Sequence, residues 1–165
     1  MRRSVALTVF DSPVGILALQ AEDGAITKLY LPGGALPDGG EEESALLRQG
    51  REQVLEYLSG KRRTFDLPLA PAGTPFQRSV WRALLAIPYG ETRSYRDIAL
   101  AVGRPRAVRA VGQANHHNPI PILIPCHRVV GADGTLTGYA GGLALKEELL
   151  RLEAGAAGKE RSPGL

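Results

Sequence analysis

At 165 residues and a formal net charge of +3, the chain has room for one ordinary domain or two small ones, with apolar content enough for a core. Its one cysteine rules out an internal disulfide framework, and no apolar run is long enough to span a bilayer, so a soluble, cytoplasmic protein is expected. The charge is uneven: between Thr74 and Val130 eight arginines stand against only Glu91 and Asp97, a composition suited to phosphate contacts.

The first elements read as β-structure. Val5 to Phe10 is rich in strand formers, Asp11-Ser12-Pro13-Val14-Gly15 is a turn signal, and Ile16 to Leu19 is a second strand. Asp23-Gly24 predicts a hairpin turn into a third strand from Ile26 to Leu31. After a Pro/Gly-rich loop, Glu41 to Ser59 has helical spacing, with Leu46, Leu47, Val54, Leu55 and Leu58 on one face, Glu41–Glu43 answering the helix dipole and Gly60 as the stop. No chemistry is visible here. Leu67 to Pro75 is rich in proline and marks a domain boundary, so residues 1–73 are expected to form one domain, 74–155 a second, and 156–165 a disordered tail.

Phe76 to Ile87 reads as an amphipathic helix with Val80, Trp81, Leu84 and Leu85 inward, ended by Pro88-Tyr89-Gly90. The next stretch has helix-turn-helix punctuation. Ser94 caps a helix through Val102, Gly103-Arg104-Pro105 turns the chain, and a second helix runs from about Arg106 to Asn115. Ala107, Ala110, Gly112 and Ala114 make that helix unusually small-faced, as a backbone that must approach a DNA groove requires; the bland reading is a tight helix–helix contact. Val108 and Val111 are expected to face the core and Arg109 to project outward.

The lone thiol follows the apolar, strand-like run Pro119 to Pro125, with His127 beside it. A solitary cysteine is more often a small buried hydrophobe. Here the adjacent histidine, the stiffening proline and the preceding arginine-rich segment favour a nucleophile. Gly131 to Gly142 is a glycine-rich loop without the Gly-Lys-Ser/Thr ending of a phosphate cradle and is read as a lid over a ligand. Leu143 to Glu153 is the last helix.

From Thr74 to Glu153 the chain resembles the O6-alkylguanine-DNA alkyltransferases. The resemblance is carried by Phe76-Gln77, Val80-Trp81, Ile87-Pro88-Tyr89-Gly90-Glu91-Thr92, Ser94-Tyr95, Arg109-Ala110-Val111-Gly112, Asn118-Pro119, Pro125-Cys126-His127-Arg128-Val129 and Gly138-Tyr139-Ala140-Gly141-Gly142-Leu143. Before residue 74 it rests on the strand pattern and Ser12-Pro13-Val14-Gly15. It implies an α/β (α+β) chain with a small ribonuclease H-like antiparallel sheet domain and a winged-helix-like domain holding the helix-turn-helix. Some members bind a structural zinc in the first domain through Cys and His; this chain has neither type before residue 116, so no metal is expected and no other cofactor is implied.

The resemblance also implies roles. Cys126 accepts the alkyl group irreversibly, His127 is its base through a bridging water, and Glu153 orients the imidazole. A cysteine with an ordinary pKa is about 3% thiolate at pH 7, so deprotonation offers roughly thirtyfold in nucleophile. Asn118 ties the second DNA-binding helix to the active-site strand. Tyr95 donates to the purine and crowds the backbone, while Arg109 enters the stack vacated by a nucleotide flipped through the minor groove. Guanine is read by the carbonyls of Cys126 and Val129 and the N–H of Ala140, where many members carry Ser. Tyr139 and Gly141-Gly142 shape the lid, and Arg104 and Arg106 contact phosphate. Ala107, Ala110 and Gly112 allow close approach. His116 and His117 match no family role and are read as surface polar residues.

The implied partner is double-stranded DNA bearing O6-alkylguanine, met by a monomer that needs no membrane. Larger adducts and O4-alkylthymine are expected substrates, since Ala140, Gly141 and Gly142 add no bulk, Pro119 and Pro121 offer flat apolar faces, and Thr137 is the residue placed to narrow the pocket. Three other readings compete. A zinc site from Cys126, His127, His116 and His117 lacks ligand spacing, and a cysteine hydrolase leaves the helix-turn-helix idle. A non-catalytic sensor of alkylated DNA is disfavoured because such proteins replace the acceptor cysteine.

Overall fold

The computed structural model describes residues 5–36, 44–136, 139 and 142–161, with side chains as far as Gly155. Thr137, Ala140 and Gly141, as well as Glu41–Glu43, lie outside the described residues. The chain divides into two compact units: one from the segment up to Ala72 plus Pro119–Leu123, the other from Gly73–Asn118 plus Ile124 onward. Among the described residues no helix is long and apolar enough to cross a membrane.

The first unit is a three-stranded antiparallel sheet, β1 (Val5–Ser12), β2 (Gly15–Glu22) and β3 (Ala25–Tyr30), carrying helix α1 (Ala45–Leu58). The Ser12 hydroxyl closes the first hairpin, accepting from Val14 N at 3.2 Å and donating to Gly15 O at 2.6 Å. Asp23 and Gly24 both have positive φ, 50° and 83°, as a two-residue turn matched to strand twist requires. Leu17, Ala18 and Leu19 of β2 are fully buried.

Helix α1 starts later than its sequence pattern suggests, because Ser44 is the residue that caps it, accepting from Leu47 N. Its first turn carries no acidic side chain. The buried face is Leu47, Gly50, Gln53, Val54, Tyr57 and Leu58, rotated from the expected stripe, with Leu46 and Leu55 only half-buried. Gly50 sets that rotation: a Cβ there would lie 3.0 Å from Leu19 Cδ1, so the helix meets the sheet at backbone distance. The expected linker is in part structure, since Ile26 N donates to Pro68 O and Ala70 N to Ile26 O, both at 2.8 Å.

The second unit opens with α2 (Pro75–Leu85), started by a reciprocal capping box between Thr74 and Gln77. Val80, Trp81 and Leu84 are buried, but Leu85, expected inward, is half exposed. Residues Arg93–Ser94 (β4) pair in parallel with Val129–Val130 (β5). Ser94 and Asp97 form a second capping box on α3 (Tyr95–Ala101), and α4 spans Val108–His116. Ala107 is the N-cap of α4 rather than a helical residue, and Val108 is exposed; Val111, Ala114 and Asn115 form the buried face.

The run before the thiol is not a strand. Prolines at 119, 121 and 125 remove ladder donors, and the chain turns with Ile122 at φ 73°, a strained value for a β-branched residue held by burial. Cys126–Arg128 is a 3-10 turn, and α5 (Leu143–Arg161) is the last element. A tail was expected from residue 156; α5 instead continues to Arg161, where three alanines with Lys159, Glu160 and Arg161, all good helix formers, outnumber Gly155 and Gly158.

Candidate active site and nucleic-acid face

The turn that carries Cys126 is held by the end of α4. Asn118 Nδ2 donates to Ile124 O at 2.8 Å, pinning together the two ends of the Pro119–Leu123 excursion, and its amide also hydrogen-bonds the thiol. Asn115 Nδ2 donates to Cys126 O at 3.3 Å, and Val129 N donates to the same carbonyl. Helix α4 is in turn fixed to α2, since Trp81 Nε1 donates to Ala114 O at 2.9 Å.

Cys126 is buried, and burial pushes its thiol up to about 11, although the Asn118 amide, the Lys146 charge and the Tyr139 hydroxyl all pull it down. At pH 7 only about one molecule in 10⁴ then carries thiolate, far less than an ordinary cysteine would. The resting group is a thiol, so the task of deprotonation is larger than the sequence alone suggests.

His127, Arg128 and Glu153 form a buried cluster. Glu153 Oε2 lies 2.7 Å from His127 Nε2, while Arg128 grips both carboxylate oxygens, Nε at 2.8 Å and Nη2 at 2.9 Å. The third donor group of Arg128, Nη1, bonds Ile87 O at 2.7 Å, its guanidinium lies 5.7 Å from the Tyr89 ring centre, and Gly90 N reaches Glu153 at 3.4 Å. Burial alone would raise the Glu153 carboxyl, but the hydrogen bonds from His127 and Arg128 outweigh it and bring it down to about 2. Burial pushes the His127 pKa below 6.5 despite the opposing pull of Glu153. Arg128 therefore supplies the positive partner, and His127 is a neutral imidazole donating Nε2–H to Glu153, a tautomer assigned from its hydrogen bond. Nδ1 is then the nitrogen able to take up a proton.

On the outer side of α4, Tyr95, Val108, Arg109, Gly112, Gln113 and His116 line an open groove of about 420 Å³. Arg109 and Ala110 are exposed, as are Arg104 and Arg106 in the turn between the helices, and a Cβ on Gly112 would only touch the Tyr95 ring at 3.9 Å. Val129 is fully buried as the first residue of β5. Tyr139, read as a lid residue, is buried with its hydroxyl toward the thiol. His116 and His117 are exposed, with ring centres 5.5 Å apart.

Three participants escaped the sequence reading. Arg128 counted there among the DNA-facing arginines, yet it is buried in the Glu153 pair. Lys146 is fully buried on the face of α5 that also carries Leu149 and Glu153, a three- and four-residue spacing that the sequence does display. Asn115 lies three residues before Asn118, but nothing in its neighbours marks it. Among the described residues no cluster of three metal-ligating side chains occurs.

Residues 5–71 match the family described as 6-O-methylguanine DNA methyltransferase, ribonuclease-like domain, and residues 75–155 match its DNA binding domain. The methylated-DNA–protein-cysteine methyltransferase of Methanosarcina barkeri is 51% identical over 149 residues, covering 88% of this chain and 94% of that protein. The constitutive enzyme of that name from Bacillus subtilis is 49% identical over 154 residues, covering 88% and 93%. The crystal structure of Mycobacterium tuberculosis OGT in complex with DNA superposes with a TM-score of 0.85 at 45% identity, covering 92% of this chain and 94% of that one.

Proposed function

The chain belongs to the 6-O-methylguanine DNA methyltransferase family, and we propose that it repairs O6-alkylguanine in double-stranded DNA by taking the alkyl group onto Cys126. The observation that carries this reading is the grouping of Cys126 with a neutral His127 that Glu153 holds by its far nitrogen. His127 Nδ1 removes the thiol proton through a bridging water, and the orientation set by Glu153 keeps that nitrogen available. The sulfur–carbon bond forms as the carbon–O6 bond breaks. The electron pair stays on guanine, which is protonated as it leaves; the Tyr95 hydroxyl donates to the purine and eases that departure.

The α3–α4 groove supports the DNA side of the reading. Exposed Arg109 fills the stack that the flipped nucleotide vacates, and Arg104 and Arg106 take phosphates. The base lies against the Cys126 and Val129 carbonyls. A thioether has no good leaving group, so each molecule acts once, in the cytoplasm, as a monomer and without a cofactor.

Intact mass and peptide mapping after exposure to duplex DNA carrying O6-methylguanine test the assignment. One added methyl group per molecule, located on Cys126 and absent from Cys126→Ser, is the expected result. Retained DNA binding with unchanged mass would make the protein a sensor instead, and sustained turnover of excess lesion would refute the suicidal step.

A further inference from the structure

Asn115 is buried to 3% exposure in the last turn of α4, where an aliphatic side chain would serve packing as well. Its Nδ2 donates to the Cys126 carbonyl at 3.3 Å, and its Oδ1 is buried with no hydrogen-bond partner among the described residues. An unpaired buried acceptor is destabilising, so the amide is not there for stability. The orientation is not arbitrary: with the amide reversed, Oδ1 would face a carbonyl oxygen and repel it. What the residue gains is control of one backbone carbonyl. That carbonyl belongs to the acceptor cysteine itself, and Asn118 holds the Ile124 carbonyl on the other side of Pro125.

We propose that Asn115 is a positioning residue that fixes the direction of the Cys126 carbonyl and thereby sets how the site recognises the exocyclic amine of the alkylated guanine. The inference rests on the reading above, in which the base lies against that carbonyl. An O6-alkylguanine has lost its N1 proton, so the exocyclic amine is the one donor left on its pairing edge, and only a correctly aimed acceptor can select for it. The Val129 N–H and the Asn115 amide hold the carbonyl from two sides. Without Asn115 only the 3-10 turn holds it, and the acceptor is free to tilt with the peptide plane. Recognition by a polar contact is lost more sharply through misaim than an apolar fit is, because hydrogen bonds weaken steeply with angle.

The test compares single-turnover rates of the full chain on two duplexes, one carrying O6-methylguanine and the other O6-methylhypoxanthine, which lacks the exocyclic amine. In Asn115→Leu the preference for the amine-bearing lesion is expected to fall by about fivefold, the worth of one neutral hydrogen bond. The Leu variant also removes the unpaired Oδ1, which favours folding; if it fails to fold, Asn115→Ala and Asn115→Met carry the same expectation. A merely structural role would slow both substrates equally and leave the ratio unchanged, and that result overturns the proposal. A wild-type protein that methylates Cys126 yet shows no preference for the amine also overturns it, while absence of any transfer to Cys126 in the wild type marks failure of the underlying reading.

Discussion

Replacing Glu153 with Gln removes the one negative charge in a buried cluster of His127, Arg128 and Glu153. The carboxyl sits at about 2 in the folded chain against an ordinary 4.5. That gap corresponds to about 3 kcal/mol of folding free energy at neutral pH. Breaking a buried pair and stranding the other charge independently suggests a loss of about 3–5 kcal/mol. The two routes agree, and about 3 kcal/mol should lower the melting temperature by roughly 6–12 °C in a chain of this size. Because the folded carboxyl is depressed, the unfolded chain holds a proton there that the folded chain does not. The stabilisation is whole above pH 4.5 and is lost as pH falls toward 2. Denaturant unfolding of wild type and Glu153→Gln at pH 7, 5 and 3 should show a gap that narrows with acid, and adding Arg128→Met should recover part of the loss at pH 7. A gap under about 1 kcal/mol at pH 7, or one unchanged down to pH 3, would refute the argument.

Transfer to Cys126 should hold its rate as pH falls through 6.5, since burial keeps His127 neutral there; a loss centred at 6.5 in a single-turnover pH profile would show an ordinary imidazole. Lys146→Met should slow alkylation of Cys126 by iodoacetamide at pH 8, because the lysine charge is what favours the thiolate electrostatically, and Lys146→Arg should restore part of the rate. Arg109→Ala should slow repair of duplex lesions far more than reaction with the free alkylated base, whereas loss of Arg104 and Arg106 should weaken binding to any duplex and flatten its salt dependence. Equal slowing of both substrates by Arg109→Ala would remove it as the intruding residue.

Local rules were legible where they act within a few residues. Ser94 capped α3 as its position suggested, Asp23-Gly24 made the hairpin turn, and Gly60 follows the end of α1 with φ 81°. Long-range packing was not legible. The pattern on α1 reads Leu46 and Leu55 as core, but the close approach at Gly50 turns the helix so that Tyr57 and Gln53 are buried instead. Arg128 looks like its exposed neighbours in sequence, and only the carboxylate brought from α5 makes burial tolerable. Likewise the run from Pro119 to Pro125 has strand composition, yet its prolines leave too few donors for a ladder. The candidate grouping of Cys126, His127 and Glu153 was legible in the family motif, and the structure brings His127 and Glu153 together; the residues around them come from elements far apart in the chain.

The same burial that raises the thiol to about 11 also shapes when the protein reacts. A thiol that is almost entirely protonated and hidden from solvent reacts slowly with dissolved oxidants and electrophiles, because the thiolate is the form that attacks them. A protein that acts once gains from such protection, since every chance reaction consumes a molecule. Reactivity must then be delivered with the substrate. Helix α4 offers the link, because the stretch that lines the DNA-facing groove, Arg109 to His116, also carries Asn115, and Asn118 follows directly; both amides hold the acceptor turn. Asn115 and Asn118 thus tie the groove-lining helix to the backbone carbonyls on either side of Pro125. On the proposed reading, DNA that contacts the groove therefore bears on the backbone of Cys126 through these two amides, and the thiol needs its neighbouring base because burial keeps it protonated.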